Sequence, residues 1–352
     1  MPTPSQSSSK NRPLRVMAFP AFSRKSNPYN ALLYNAVQKE GVDVVEFSFK
    51  NAFLSKADIV HVHWPEFFLN SHYRIKALLF SIMLLLSLGV QKLKGAKLVW
   101  TLHNLKPHVI RYPVLSGLFW WIYKRMVDGV LSLSQANLKI AQDAIPEIKH
   151  LPAGVSYHGL FECETRTIDQ VDARQRLGLP VDGQIVLCLG QIKAYKGYEH
   201  LVKLAQDAKS LNMPLHIVIA GKSDEPDYIE ELKQQTLGLN FDIHLGFVSD
   251  EDLPYYYKAA DISVIPFNAI FNSGSALMSV SQETPVLIPH TDNFEEYAGI
   301  LRGGLVTYTD LTPELVCQTI ENSQFKLSNI SPDVQWLVVA QETVKLYRGL
   351  LK

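Results

Sequence analysis

Short apolar blocks and helically spaced blocks alternate along the chain. "PLRVMAFPAF" (13–22) has the length and continuity of a buried strand. "PYNALLYNAVQKEG" (28–41) follows with helical spacing and a stop at Gly41. "VDVVEFSF" (42–49), "ADIVHVHW" (57–64), "AKLVWTLHN" (96–104) and "GVLSLS" (129–134) continue the strands. Between them lie a long apolar helix around "ALLFSIMLLLSLGV" (77–90) and a helix at "GLFWWIYKRMVDG" (117–129). "SQANLKIAQDAI" (134–145) reads as a helix with Ser134 as its N-cap.

The rhythm breaks between 151 and 183, which reads as an interdomain connection, and then restarts. Strands are expected at "QIVLCLG" (184–190), "PLHIVIAG" (214–221), "FDIHLGFV" (241–248), "DISVIPF" (261–267) and "PVLIP" (285–289). Helices are expected at 197–211, 226–238, 250–260 and 333–351. Alternating strands and helices imply parallel sheets covered on both faces, here two doubly wound α/β domains in tandem. Such folds bind ligands at the C-terminal ends of strands, so a cleft between two such sheets is the expected site.

Composition changes this picture little. At 352 residues the chain is long enough for two cores, and 47% hydrophobic with 19% charged residues is a globular balance. Lys plus Arg equals Asp plus Glu at 34 each, so no overall charge favours nucleic acid. Cys163, Cys188 and Cys317 are too far apart for a metal motif or a disulfide framework, which points to a reducing, cytoplasmic setting. "MPTPSQSSSKNRP" is polar and reads as a loose tail without a signal core. The apolar run 77–90 is too short to span a bilayer of about 30 Å. It has Arg74 and Lys76 before it and Lys92, Lys94 and Lys97 after it; a second segment pairs aromatics with Arg111, Lys124 and Arg125. Aromatic and basic residues together suit peripheral contact with an anionic membrane surface, although a buried core helix has the same composition.

The chemistry concentrates at strand ends. In "FNSGSALMSVSQETPV", a helix opening at Asn272, Ser273, Gly274 and Ser275 offers free N–H groups, a positive dipole end and hydroxyls, either as a simple N-cap or as a phosphate cradle. In "LCLGQIKAYKGYEH", Gly190 ends a strand and Lys193 and Lys196 follow, where a lysine can pair with a diphosphate or merely be solvated. "HVHWPE" puts His61 and His63 on one side of a strand and Glu66 just past its end. "TLHN" places His103 and Asn104 at the end of the next strand.

Together "LGQIKAYKGYEHLVKLA", "HIVIAG", "LGFVSDEDLPYYYKAADISVIPF" and "SGSALMSVSQETPV" resemble the nucleotide-sugar domain of GT-B glycosyltransferases, notably the retaining family four (glycosyl transferases group 1). "RVMAFPAF", "ADIVHVHW" and "VWTLHN" resemble the acceptor-side domain, and a narrower likeness runs to enzymes of bacterial exopolysaccharide assembly. The resemblance implies two Rossmann-like domains. Residues 1–158 would form the acceptor side, joined by 333–352 crossing back, and 159–332 would bind the donor. It also implies transfer of a hexose, of mannosyl or glucosyl type, from a nucleotide sugar to a lipid-linked or oligosaccharide acceptor. No metal or other cofactor is expected, because a lysine and a helix dipole can neutralise the leaving diphosphate.

By the same resemblance, Lys196, Ser273, Gly274 and Ser275 bracket the diphosphate, with Asn272, Lys193 and Gln191 beside them. His103 matches a family histidine that touches the donor, whereas Glu66, read from its place past the strand end, is a candidate base for an acceptor hydroxyl if the reaction inverts. His61, His63, Asn104, Asn27 and Tyr29 fall on the acceptor side, where Asn27–Tyr29 also read as a plain turn and helix start. The sequence departs from the pattern: the family's phosphate-loop arginine falls on Gln191, its paired glutamates on Ile270 and Met278, and a glycine on Glu283. Those losses leave two other readings open, a non-catalytic sugar-nucleotide or carbohydrate binder and a nucleotide-sugar epimerase of the same fold.

Overall fold

The computed structural model describes residues 12–23, 28–105, 110–163, 168–267 and 271–352. It divides into two compact units, one of Met1–Leu133, Leu138–Ser156 and Trp336–Lys352, the other of Ser134–Asn137 and Tyr157–Gln335. The first contains β1 (Arg15–Phe19), α1 (Tyr29–Lys39), β2 (Asp43–Glu46), α2 (Phe49–Leu54), β3 (Ile59–Val62), α3 (Arg74–Leu93), β4 (Lys97–Leu102), α4 (Pro113–Met126), β5 (Gly129–Ser132), β6 (Ala153–Val155) and, from Leu138 on, α5 (Gln135–Ala144), whose first residues belong to the second unit. Its six strands are all parallel in the order β2-β1-β3-β4-β5-β6. β3 and β5 are buried at every residue, which is why they read as continuous apolar runs.

The second unit contains α6 (Gln170–Leu177), β7 (Gln184–Leu189), α7 (Tyr198–Ser210), β8 (Leu215–Gly221), α8 (Pro226–Gln235), β9 (Phe241–Leu245), α9 (Leu253–Ala259), β10 (Ile262–Val264), α10 (Gly274–Ser281), β11 (Val286–Pro289), α11 (Asp292–Leu301), β12 (Leu305–Tyr308) and α12 (Pro313–Glu321). Its strands are also all parallel, in the order β12-β11-β10-β7-β8-β9. The winding direction reverses between β7 and β10. In an open parallel sheet that switch point is where the C-terminal loops diverge and leave a crevice. The segment 190–197 after β7 and residues 271–274 at the start of α10 lie at this switch.

The final helix, α13 (Trp336–Leu350), belongs to the first unit. It buries Val339, Ala340, Val344 and Tyr347 in one core with Leu33, Val37, Ile59, Val99 and Leu131. A Cβ at Gly129 would stand 2.9 Å from Leu350 Cδ1, so the missing side chain is what lets the end of α13 approach β5.

Four departures from the sequence reading have physical causes. The strand expected over 42–49 stops at Glu46, because the Ser48 hydroxyl accepts from the Asn51 N–H at 3.0 Å and starts α2. The stretch 151–183 is more than a connection, since it holds β6 and α6. β6 is a three-residue edge strand without a buried run. α6 has little apolar face and is bolted down by the buried Arg174, whose guanidinium reaches Asp261 at 2.8 Å and three backbone carbonyls. Beyond β11, α11, β12 and α12 complete the sheet where no element was assigned.

Candidate active site

In the second unit β7 leads into Gly190, whose φ is +146°. The approach at this turn is so close that a Cβ at Gly221 would overlap the Gly190 carbonyl oxygen. A Cβ at Gly190 would in turn lie 3.7 Å from Ser275 Oγ and 3.8 Å from Lys196 Nζ. Two residues of one loop, Gly190 and Lys196, and the distant Ser275 therefore converge on one point at the switch of the sheet. Lys196 is half-buried with its Nζ 4.7 Å from the centre of the Phe267 ring. Among the described residues it has no carboxylate or hydrogen-bond partner, and burial lowers its pKa from the usual lysine value. A desolvated, unpaired ammonium is costly unless an anion completes it.

α10 begins at the same place. Ser273 is its N-cap, accepting from the Ala276 N–H at 3.2 Å, so its oxygen takes the capping role. The N–H groups of Gly274 and Ser275 in the first turn have no partner within the helix and carry its positive dipole end. The loop before it is braced from below: Asn137 Nδ2 donates to the Phe271 carbonyl at 2.6 Å and to Asn272 Oδ1 at 3.2 Å, and Asn293 donates to the same carbonyl at 3.1 Å. Asn272 thus holds the loop.

Lys193 is placed elsewhere. Its ammonium is bonded to Asp224 and lies 3.5 Å from Glu225, and the Asp224 hydrogen bond raises its pKa. That pairing takes it out of the expected diphosphate set. Gln191 follows Gly190 and is exposed. Of the departures from the family pattern, Ile270 lies outside the described residues. Met278 packs against the core under α9. Glu283 has φ +61°, so the glycine-like backbone conformation is retained without the glycine.

In the first unit β3 and β4 end side by side and deliver His63 and His103. His61 lies wholly inside the core, with Nε2 2.6 Å from Thr101 Oγ1 and Nδ1 2.6 and 2.8 Å from the hydroxyls of Tyr347 and Tyr34. Tyr29 is also fully buried, with its ring edge-on to His63 and His103. Neither can touch an acceptor, which corrects both expectations; Tyr29 is simply the first residue of α1. Asn27 lies outside the described residues. His63 Nδ1 is 2.9 Å from His103 Nε2, and the His103 ring stacks on Trp64 at 4.1 Å.

A cavity of about 140 Å³ opens here, lined by His63, Glu66, His103 and Asn104 and walled by Trp100, Trp120, Leu105 and Ile145. Lys124 also lines it, but its ammonium is bonded to Glu147 at 2.9 Å. Among the described residues Glu66 has no ion-pair partner, and burial pushes its carboxyl up to about 7. Beside it Trp120 Nε1 is buried without a hydrogen-bond partner. Trp120 carried no signal in the sequence: its indole reads as one more apolar residue of an amphipathic helix.

The glycosyl transferases group 1 family model matches residues 169–288, the segment that carries β7 to β11. The chain is 28% identical over 270 residues to a GDP-mannose:glycolipid 4-beta-D-mannosyltransferase of Xanthomonas campestris pv. campestris, covering 76% of this chain and 71% of that protein. It is also 28% identical over 181 residues to the mannosylfructose-phosphate synthase of Agrobacterium fabrum, covering 47% of this chain and 38% of that enzyme. Among solved structures, sucrose-phosphate synthase from Thermosynechococcus elongatus superposes with a TM-score of 0.65 at 18% identity, covering 97% of this chain and 99% of that one. Anabaena Alr3699/HepE in complex with UDP and glucose superposes at 0.59 and 17% identity, covering 96% and 98%. At these identities the two structures share the fold.

Proposed function

We propose that the chain is a GT-B glycosyltransferase that uses a nucleotide-sugar donor and that it moves a hexose onto a lipid-linked or oligosaccharide acceptor in polysaccharide assembly. The donor diphosphate would sit against Lys196 Nζ, the Ser275 hydroxyl and the N–H groups of Gly274 and Ser275. The observation that carries this reading is the convergence of Gly190, Lys196 and Ser275 around an ammonium that has no carboxylate partner among the described residues. As the glycosidic bond to the donor breaks, negative charge grows on the leaving diphosphate. A fixed ammonium and a helix N-terminus aimed at that charge lower the barrier without reorganising. Such an arrangement would supply the neutralisation without a metal. A mannosyl donor is favoured by the GDP-mannose:glycolipid relative.

On the acceptor side, Glu66 would take the proton from the attacking hydroxyl. A carboxylate with a pKa near 7 is a stronger base than an ordinary one and is still half ionised at neutral pH. The Trp120 indole N–H would donate to an acceptor oxygen. This base role requires inversion of the anomeric centre, so a product anomer matching the donor would exclude it.

The exposed apolar surface supports a lipid-linked acceptor. α3 buries only a narrow stripe, including Ala77, Ser81, Leu84 and Leu88, and leaves Ile75, Leu79, Phe80 and Leu86 outward. α4 leaves Val114, Leu118 and Trp121 outward. α3 is long and apolar enough to cross a membrane. Its C-terminal turn is nevertheless tied into the first unit: buried Gln91 donates to the Ala52 and Ser55 carbonyls, and Lys92 pairs with Asp128. Lying in the headgroup plane keeps those bonds, whereas spanning would break them. Lys92, Lys94 and Lys124 are bonded within the protein, which leaves Arg74, Lys76 and Arg111 exposed for anionic lipid on a cytoplasmic leaflet.

A thermal-shift screen against UDP-, GDP- and ADP-sugars, with EDTA or Mg²⁺, tests the donor reading. One nucleotide class should raise the melting temperature equally in both conditions. No shift with any donor would refute the site, and a shift only with Mg²⁺ would refute metal-independent binding.

A further inference from the structure

The first turn of α5 is fastened within the second unit. Ser134 caps it, and the Glu296 carboxylate on α11 accepts the Gln135 and Ala136 N–H groups at 2.8 Å each. The Tyr157 hydroxyl donates to the same carboxylate at 2.6 Å. This holds Asn137, which is 1% exposed, against the residues that lead into α10. Its Nδ2 donates one hydrogen to the Phe271 carbonyl at 2.6 Å and the other to Asn272 Oδ1 at 3.2 Å. From α11, Asn293 Nδ2 donates to the same Phe271 carbonyl at 3.1 Å, and Asn293 is also buried.

Stability does not account for the second amide. Asn293 Oδ1 is buried and has no hydrogen-bond partner among the described residues. An unpaired buried oxygen costs more than one neutral hydrogen bond contributes. Without Asn293 the Phe271 carbonyl would keep Asn137 as its donor, and an apolar side chain of similar shape would remove the unpaired oxygen. What the pair of amides achieves is direction. A single donor leaves a carbonyl free to swing about that bond, whereas donors on two helices, α5 and α11, occupy both lone pairs and fix its plane. Phe271 and Asn272 run directly into Ser273, the cap of α10. The orientation of this peptide therefore sets where the Gly274 and Ser275 N–H groups point.

We propose that Asn137 and Asn293 are positioning residues that hold the first turn of α10 in the orientation that receives the donor diphosphate. The assignment deepens the proposed function and rests on it for the statement that a diphosphate lies at that turn. A loop already held in its bound orientation loses little conformational freedom on binding. The two amides therefore act on affinity for the phosphates and leave affinity for the nucleoside unchanged.

The test is calorimetric titration of the whole protein with UDP, GDP and ADP. For the diphosphate that binds, affinity for its nucleoside is then measured by displacement. Asn293→Leu should bind the diphosphate roughly 3- to 10-fold more weakly, the effect of losing one neutral hydrogen bond, with nucleoside affinity as in wild type. Its melting temperature should equal or exceed that of wild type, because the unpaired oxygen is gone. Asn137→Leu should weaken the diphosphate at least as much; should that variant fail to fold, Asn293→Leu decides alone. Wild-type diphosphate affinity in folded Asn293→Leu overturns the proposal and leaves the donor reading intact. A lowered melting temperature with parallel loss of diphosphate and nucleoside affinity assigns the amide to the fold alone and also overturns it. A wild-type protein that binds none of the three diphosphates refutes the donor reading, and the proposal falls with it.

Discussion

Two lysines three positions apart in one loop show how context decides a residue's use. Lys193 is satisfied by Asp224 and Glu225, whereas Lys196 is half-buried, unpaired and held near Gly190 and Ser275. The sequence shows both as loop lysines, because the carboxylates that claim Lys193 sit about 30 residues away on another loop. The same holds for the paired histidines. Alternation along β3 correctly puts His61 and His63 on one side, but only the tertiary contacts show that Tyr34 bridges them inside the core. Glu66 owes its raised pKa to the cavity wall and to the diversion of Lys124 to Glu147. As a base Glu66 must be ionised, so kcat/KM should rise with pH through about 7 and level off above it. Glu66→Gln should remove that rise and lower the rate by roughly 10²- to 10⁴-fold. A full rate in Glu66→Gln, or a wild-type profile that falls through pH 7, would rule out the role.

At the scale of elements, strands were the most legible because those buried on both faces are written as unbroken apolar runs. β1, β3, β4, β5, β7 and β8 all lie within the stretches that pattern marks. The elements that were missed are held by something other than an apolar face: β6 by edge pairing to β5, and α6 by the Arg174–Asp261 bond. The Ser134 cap of α5 was legible, and its hydroxyl accepts from the Asn137 N–H at 3.0 Å. α3 is the element whose composition is ambiguous and whose packing resolves it, since most of its apolar surface is unburied and its last turn is tethered. The protein should sediment with anionic vesicles at low salt and be released as salt rises, with Leu79→Glu and Phe80→Glu weakening the association while the fold is kept. Equal recovery in the supernatant with anionic and neutral vesicles would remove the membrane proposal.

For the whole molecule, the two units divide the chemistry by the composition of their strand-end loops. The second unit places its small polar residues and one unpaired ammonium at the sheet's switch point. The first places histidines, the Glu66 carboxyl and indoles around a cavity. Relatives named as transferases favour transfer over free epimerisation or simple binding. The central claim is that Lys196, with the first turn of α10, holds the donor diphosphate, and calorimetric titration tests it most directly. Wild type and Lys196→Ala are titrated with the nucleoside diphosphate of whichever donor class stabilises the protein, after circular dichroism confirms that the variant is folded. Loss of one charged hydrogen bond of roughly 1.5–3 kcal/mol should weaken binding about 10- to 150-fold. Wild-type affinity in the folded Lys196→Ala protein would contradict the account.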